Sequence, residues 1–222
     1  MLFRSKQFII GQAASTLIGA AGQSTSRVDG VPPLVLPDGP AGLRLTPQVG
    51  VDERGAFPLS NAFGGLMDDL MDEESLAALG VVEEKRTPQS TYEQYTTAIP
   101  IGTAIAQTWD PGLAAAYGDL VGVEMEHFGA HLWLAPAFNL HRSILCGRNF
   151  EYFSEDPLLS GRIAAGITRG VQKHPGRGVT VKHFAFNNQE TNRLNSNSRV
   201  SKRAARDLYL RAFNLTDRKS VV

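Results

Sequence analysis

The sequence predicts an α/β fold, a parallel sheet covered by helices, and three observations carry that prediction. Short continuous apolar runs recur at residues 31–36 (VPPLVL), 98–107, 132–139 (LWLAPAFN) and 179–186. The stretches between the later runs have helical periodicity and crossover length, as parallel strands buried on both faces require. Polar, charge-rich sequence gathers just after several of the runs, at the strand-to-helix edge where α/β folds bind ligands. Four such strands are about half of a (β/α)8 barrel of the TIM type. A doubly wound open sheet fits the same pattern, although its usual Gly-rich phosphate loop is missing, since DGPAG at 38–42 is no G-x-G-x-x-G.

In order along the chain, the strand at 31–36 closes on the Asp38-Gly39-Pro40 turn, which puts Asp38 and Arg44 on or near the following loop. Residues 46–97 are acid-rich and punctuated by Gly and Pro, so they are expected to be irregular, with a helix over 67–79 on partial spacing. The run at 98–107 is read as a second strand, and Trp109-Asp110-Pro111 as the cap and first turn of the next helix. In that helix Leu113, Tyr117, Leu120, Glu124 and Phe128 fall mostly on one face, and Gly129 supplies the stop. Strand 132–139 leads into a polar loop, and Asp156-Pro157 opens a helix whose Leu159, Ile163, Ile167 and Val171 repeat every four residues. The fourth strand is placed at 179–186. Ser201 caps a last helix whose Ala205, Leu208, Ala212 and Leu215 should form its buried stripe.

Composition bounds the function classes. At 222 residues and 42% hydrophobic the chain can bury a core, and its 22 basic and 22 acidic residues leave no net charge to argue for a nucleic-acid or membrane partner. No apolar run approaches the ~18–20 residues of a membrane span. The one cysteine, Cys146, can form no intrachain disulfide, suits a reducing compartment and is read as a packed small residue. The N-terminal MLFRSKQFII run looks like a signal peptide until Gln12, Ser15 and Gly19 interrupt it, so the expected location is cytoplasmic rather than secreted.

Chemistry concentrates at 145–161, read with 182–193. Asp, Arg, Lys and His at strand ends suit sugar recognition, because carboxylates and guanidinium groups make paired hydrogen bonds to vicinal hydroxyls. Each residue also has a bland account: Asp38 as a turn starter, Arg148 and Glu151 as a structural ion pair, Lys182-His183 as packing. Jointly they fall on one expected edge.

GRNFEYFSEDPLLSG at 147–161 and VKHFAFNNQETNR at 181–193, with LPDGPAGLRL at 36–45, AIPIGTAIAQTWDP at 98–111 and VSKRAARDLYLRAF at 200–213, resemble the N-terminal domain of family-3 glycoside hydrolases of the β-glucosidase type. The resemblance implies the N-terminal half of a (β/α)8 barrel, with residues 1–215 as a partial domain of that family and 216–222 as a tail that matches nothing in it. It implies glucoside-binding roles for Asp38, Arg44, Arg148, Lys182 and His183, with Glu151, Asn188 and Glu190 in support. It implies non-proline cis peptides at the KHF strand end, since neighbouring residues of a regular strand face opposite ways. It also implies a glycoside as the partner and no cofactor or metal. Retaining hydrolysis needs two carboxyl groups about 5–5.5 Å apart; in the family these come from later sequence, so the chain alone is expected to be inactive and to leave sheet edges open to pairing with a second copy. From another class, the alternative is a non-catalytic carbohydrate-binding or regulatory half-barrel.

Overall fold

The computed structural model describes residues 9–12, 15–26, 32–59 and 86–220. They fall into two compact units, Met1–Pro37 with Arg44–Thr96, and Asp38–Leu43 with Thr97–Val222.

The first unit is made of antiparallel sheets. Strands β1 (Ile9–Gln12), β2 (Gly22–Ser26) and β3 (Val35–Leu36) pair in sequence order. Strands β4 (Gln48–Asp52), β5 (Gly55–Pro58) and β6 (Ser90–Glu93) form a second sheet with β4 in the middle. Two expectations are corrected here. The strand expected at 31–36 exists at Val35–Leu36 but pairs antiparallel with β2, and the stretch expected to be irregular holds a sheet. The β4–β5 hairpin has a physical basis that composition hid: β-branched Val49 and Val51 alternate along β4, and Glu53-Arg54 make the turn. Arg86 then staples it, pairing with Asp52, donating to the Gly55 carbonyl at 2.9 Å and lying 4.0 Å over the Phe57 ring. The helix expected at 67–79 lies outside the described residues.

The second unit is helices around a short parallel ladder. Helix α1 (Gly102–Ala106) occupies half of the run expected to be the second strand. An apolar run this short is ambiguous between a strand and a buried helical turn, and Gly102, Ile105 and Ala106 are buried on its one inward face. Helix α2 (Pro111–Phe128) starts where expected, the Asp110 carboxylate accepting from the amides of Gly112 at 2.7 Å and Leu113 at 3.2 Å, and Gly129 ends it with a φ of 69°. Helix α3 (Pro157–Gln172) is capped the same way by Asp156. It packs against α2 on one side and on the other against α5 (Leu210–Ser220), which continues from α4 (Lys202–Ala204) through a π-helical turn at Ala205–Tyr209.

The buried faces differ from expectation in two helices. On α2, Ala114, Tyr117, Gly118, Val121, Gly122 and Met125 face inward, while Leu113 and Leu120 are exposed. The reason is close approach: a Cβ on Gly118 would lie 2.0 Å from the Ile167 carbonyl oxygen, and one on Gly170 2.2 Å from that of Ala115. Small residues therefore select the contact face, and the larger side chains turn away. In the last helix the buried positions are Tyr209, Ala212 and Thr216. Ala212 is buried as expected, while Leu208 and Leu215 are half-buried, Leu215 lying against Gly161 of α3. The stripe expected on α3 holds at Ile163, Ile167 and Val171.

Strand β7 (Leu132–Trp133) pairs in parallel with β8 (Gly178–Val179), as α/β crossover through α3 requires. Both are shorter than the runs at 132–139 and 179–186 suggested, because the ladder breaks at the cis Ala135-Pro136 peptide and resumes as a bridge from Ala137 to Lys182. The Lys182 amide donates to the Pro136 carbonyl, and the Phe138 amide to that of Lys182. The expected four-stranded parallel sheet is thus a two-stranded one plus this bridge among the described residues. The core beneath it is Trp133, Ala135, Ala137, Phe138, Tyr152, Ile163, Ile167 and Val171.

Candidate active-site edge

Four of the five residues singled out for sugar contact lie in the second unit. The fifth, Arg44, belongs to the first unit and is exposed.

Asp38 is held by its own turn. Its carboxylate accepts from the Gly39 amide at 2.8 Å, and the turn is latched from outside by the Trp133 indole, which donates to the Gly39 carbonyl at 3.1 Å, and by the Tyr117 hydroxyl, which donates to the Pro40 carbonyl at 2.6 Å. The same Asp38 oxygen receives Lys182 Nζ at 2.5 Å, both side chains about one-fifth exposed. Lys182 comes from the end of the parallel ladder, 144 residues away in sequence. Asp38 and Lys182 are therefore joined by the fold.

Arg148 precedes a 3-10 turn, Asn149–Glu151, that presents Glu151 back toward it. The Arg148 Nε pairs with Glu151, which is 5% exposed. The Thr103 hydroxyl on α1 pins this turn by donating to the carbonyls of Asn149 at 2.9 Å and Tyr152 at 3.0 Å. Glu151 and Arg148 thus form an ion pair three residues apart in sequence.

The peptides Lys182-His183 and Phe184-Ala185 are both cis, as the resemblance implied. His183 Nδ1 lies 3.0 Å from the Tyr152 hydroxyl. Burial, seconded by the positive charges of Arg148 and Lys182, pushes the His183 imidazole down to about 4, so it is neutral at pH 7. The loop that follows is tied down on both sides. Asn188 accepts from Asn139 at 2.8 Å and donates to the Tyr209 hydroxyl at 3.0 Å, and Glu190 accepts from Asn187 at 2.8 Å. Asn188 and Glu190 act as braces.

Asp38 and Lys182 are paired, and the charges of Asp38, Lys182, Arg148 and Glu190 all act on the His183 ring. Asp38, Lys182, Arg148 and His183 supply a carboxylate, an amine, a guanidinium and a neutral imidazole. Such a set can grip neutral polyols through charge-assisted hydrogen bonds. Sequence reasoning missed the latches, Tyr117, Trp133 and Tyr152. The signal for Tyr152 was present: a phenol inside a polar run must find a partner when buried.

A profile of the Glycosyl hydrolase family 3 N terminal domain matches residues 78–214. The chain belongs to glycosyl hydrolase family 3. Among family-3 relatives it is 39% identical over 186 residues to Beta-glucosidase A of Butyrivibrio fibrisolvens, a match covering 84% of this chain and 17% of that protein. It is 45% identical over 123 residues to a beta-glucosidase of Ruminococcus albus, covering 55% of this chain and 13% of that one. In three dimensions it resembles beta-glucosidase 3B from Thermotoga neapolitana in complex with alpha-D-glucose, with a TM-score of 0.73 and 36% identity over 99% of this chain and 27% of that one. A beta-glucosidase from Paenibacillus barengoltzii gives a TM-score of 0.71 at 31% identity, over 96% and 19%. This family-3 chain thus spans 13–17% of the two sequence relatives' length and 19–27% of those solved chains.

No group of three or more His, Cys, Asp or Glu side chains is placed to hold a metal ion among the described residues. Nor is any helix among them long and apolar enough to cross a membrane.

Proposed function

We propose that this chain carries the sugar-binding subsite of a retaining, exo-acting β-glucosidase-like enzyme. Asp38 accepts from hydroxyls remote from the anomeric carbon, and Arg148, Lys182 and His183 donate to others. The nucleophile and the acid/base are supplied by sequence outside these 222 residues, so the subsite's task is positioning, which can contribute several kcal/mol by holding the glycosidic bond in a reactive orientation. The second unit is the first half of a (β/α)8 barrel: the β7–α3–β8 crossover supports this, as does the placement of the polar residues at the ladder's C-terminal end.

The observation that carries the reading is the Lys182–Asp38 pair beside a neutral His183 and a Glu151-braced Arg148. The beta-glucosidase relatives and the glucose-bound Thermotoga structure favour a glucoside as the ligand. Hydrolysis of an aryl β-glucoside by the full-length polypeptide, with the anomer of the first-formed glucose read by NMR, tests it. The expected product is β-glucose. Absence of turnover with retained glucose binding would favour a non-catalytic carbohydrate-binding protein instead.

A further inference from the structure

Tyr152 is fully buried, and its hydroxyl has two neighbours: His183 Nδ1 at 3.0 Å and Asn187 Nδ2 at 2.9 Å. The same Asn187 nitrogen lies 2.8 Å from Glu190 Oε1. Donor and acceptor inventory fixes the direction of every bond in this chain. A carboxylate only accepts, so the amide of Asn187 must turn its NH2 group, not its oxygen, toward Glu190. An NH2 group only donates, so its second contact is a donation to the Tyr152 oxygen. The phenol has one hydrogen and that hydrogen must go to its other neighbour. His183 Nδ1 therefore accepts. Burial pushes the Tyr152 phenol up to about 12, which keeps this donor protonated, while the imidazole is neutral at pH 7. A neutral imidazole that accepts at Nδ1 carries its one hydrogen on Nε2.

We propose that Tyr152, oriented by Asn187 and Glu190, locks His183 in the Nε2–H tautomer, so that His183 meets the sugar as a donor and never as an acceptor. The claim rests on the reading of His183 as a sugar contact. It makes Tyr152 a positioning residue, acting through His183 without touching the substrate. It also sets a rule of specificity: the oxygen facing His183 must accept, so a hydroxyl there directs its own hydrogen elsewhere, with Asp38 the carboxylate of the cluster able to take it. A ligand that puts a donor-only group, such as an ammonium, against His183 meets another donor and is rejected.

A double-mutant cycle in the full-length polypeptide tests this. Tyr152→Phe keeps the ring and removes the hydroxyl, and His183→Gln replaces the imidazole by an amide whose NH2 donates without needing a tautomer. With His183 present, Tyr152→Phe is expected to lower kcat/KM for an aryl β-glucoside by about 10-fold or more, the scale of one lost hydrogen bond to a buried group. In the His183→Gln background the same change should alter it by less than about twofold. Equal losses in the two backgrounds would make Tyr152 a packing residue and overturn the proposal. The 15N shifts of the His183 ring read the tautomer without reference to activity: Nε2–H in the wild type, a loss of that preference in Tyr152→Phe. The double variant Asn187→Asp/Glu190→Gln keeps Tyr152 in place but makes residue 187 an acceptor, which draws the phenol hydrogen away and should move the ring hydrogen to Nδ1. An Nδ1–H ring in the wild type, or a ring unchanged in both variants, overturns the proposal. Full activity in His183→Ala would instead remove His183 from the sugar site and strike the functional reading, leaving the tautomer result intact.

Discussion

Lys182 Nζ rests on the Asp38 carboxylate, 2.5 Å away and 144 residues apart in sequence. The pair closes the second unit's chain onto itself, and each partner orients the other. In the proposed subsite an arriving sugar meets an Asp38 carboxylate already fixed in place, so little of its binding energy goes into ordering the acceptor.

That arrangement makes Asp38→Ala a severe change. It deletes the acceptor and leaves Lys182 without its partner, and charge-assisted contacts of this kind are worth about 2–4 kcal/mol when desolvated. In the full-length polypeptide kcat/KM for an aryl β-glucoside should fall on the order of 30- to 1,000-fold. An unchanged value would remove Asp38 from the site.

Arg148 is held through its Nε by Glu151, and in the proposed subsite the rest of its planar fork meets the ligand. Lysine offers a point charge without that geometry. Arg148→Lys should therefore lose nearly as much kcat/KM as Arg148→Ala. Recovery of most of the activity by lysine would show that a diffuse positive charge suffices.

The α2–α3 contact has no room for a methyl group at Gly118 or Gly170, where an added Cβ would meet backbone oxygen at 2.0 and 2.2 Å. Backbone on a packed helix cannot yield cheaply, so Gly170→Ala should destabilise by about 1–3 kcal/mol or more, although alanine favours helix. Chemical denaturation reads this directly, and a neutral or raised midpoint would contradict the geometry.

His174 sits between two α2 carboxylates, with Nε2 3.0 Å from Asp119 and Nδ1 3.2 Å from Glu126, while Lys173 shares Asp119 at 3.3 Å. Burial disfavours its charge, but the two carboxylates outweigh that and raise its pKa. A raised folded-state value means the stabilisation is complete below the unfolded value of about 6.5 and disappears as pH rises through the folded one. His174→Gln should thus lower the melting temperature at pH 5.5 more than at pH 9. Equal shifts at the two pH values would show that the ring acts by packing alone.

What the sequence disclosed was local chemistry. Asp110, Asp156 and Ser201 were readable as caps because a cap depends only on the next few amides, and Gly129 as a stop because αL backbone favours glycine. The run at 98–107 was misread because its helix has no side-chain cap at Ile101 to announce it. The α2 face was misread because bulk was taken for burial, whereas Gly118 and Ala114 win the contact by being small. At the site, Asp38, Arg148, Lys182 and His183 stood out by type and position. Tyr152 was legible only as a phenol in a polar run, because its partners Asn187 and His183 lie 35 and 31 residues further on.

The central claim is that Asp38, Arg148, Lys182 and His183 hold one sugar ring. Calorimetric titration of D-glucose into the full-length polypeptide, its Arg148→Ala variant and its His183→Ala variant tests it most directly, with unfolding curves run alongside. The account predicts saturable binding to the wild type and at least a 10-fold weaker Kd in each variant under conditions where its unfolding curve shows it still folded, about the loss of one hydrogen bond to a charged or buried group. Equal glucose affinity in all three proteins would contradict it.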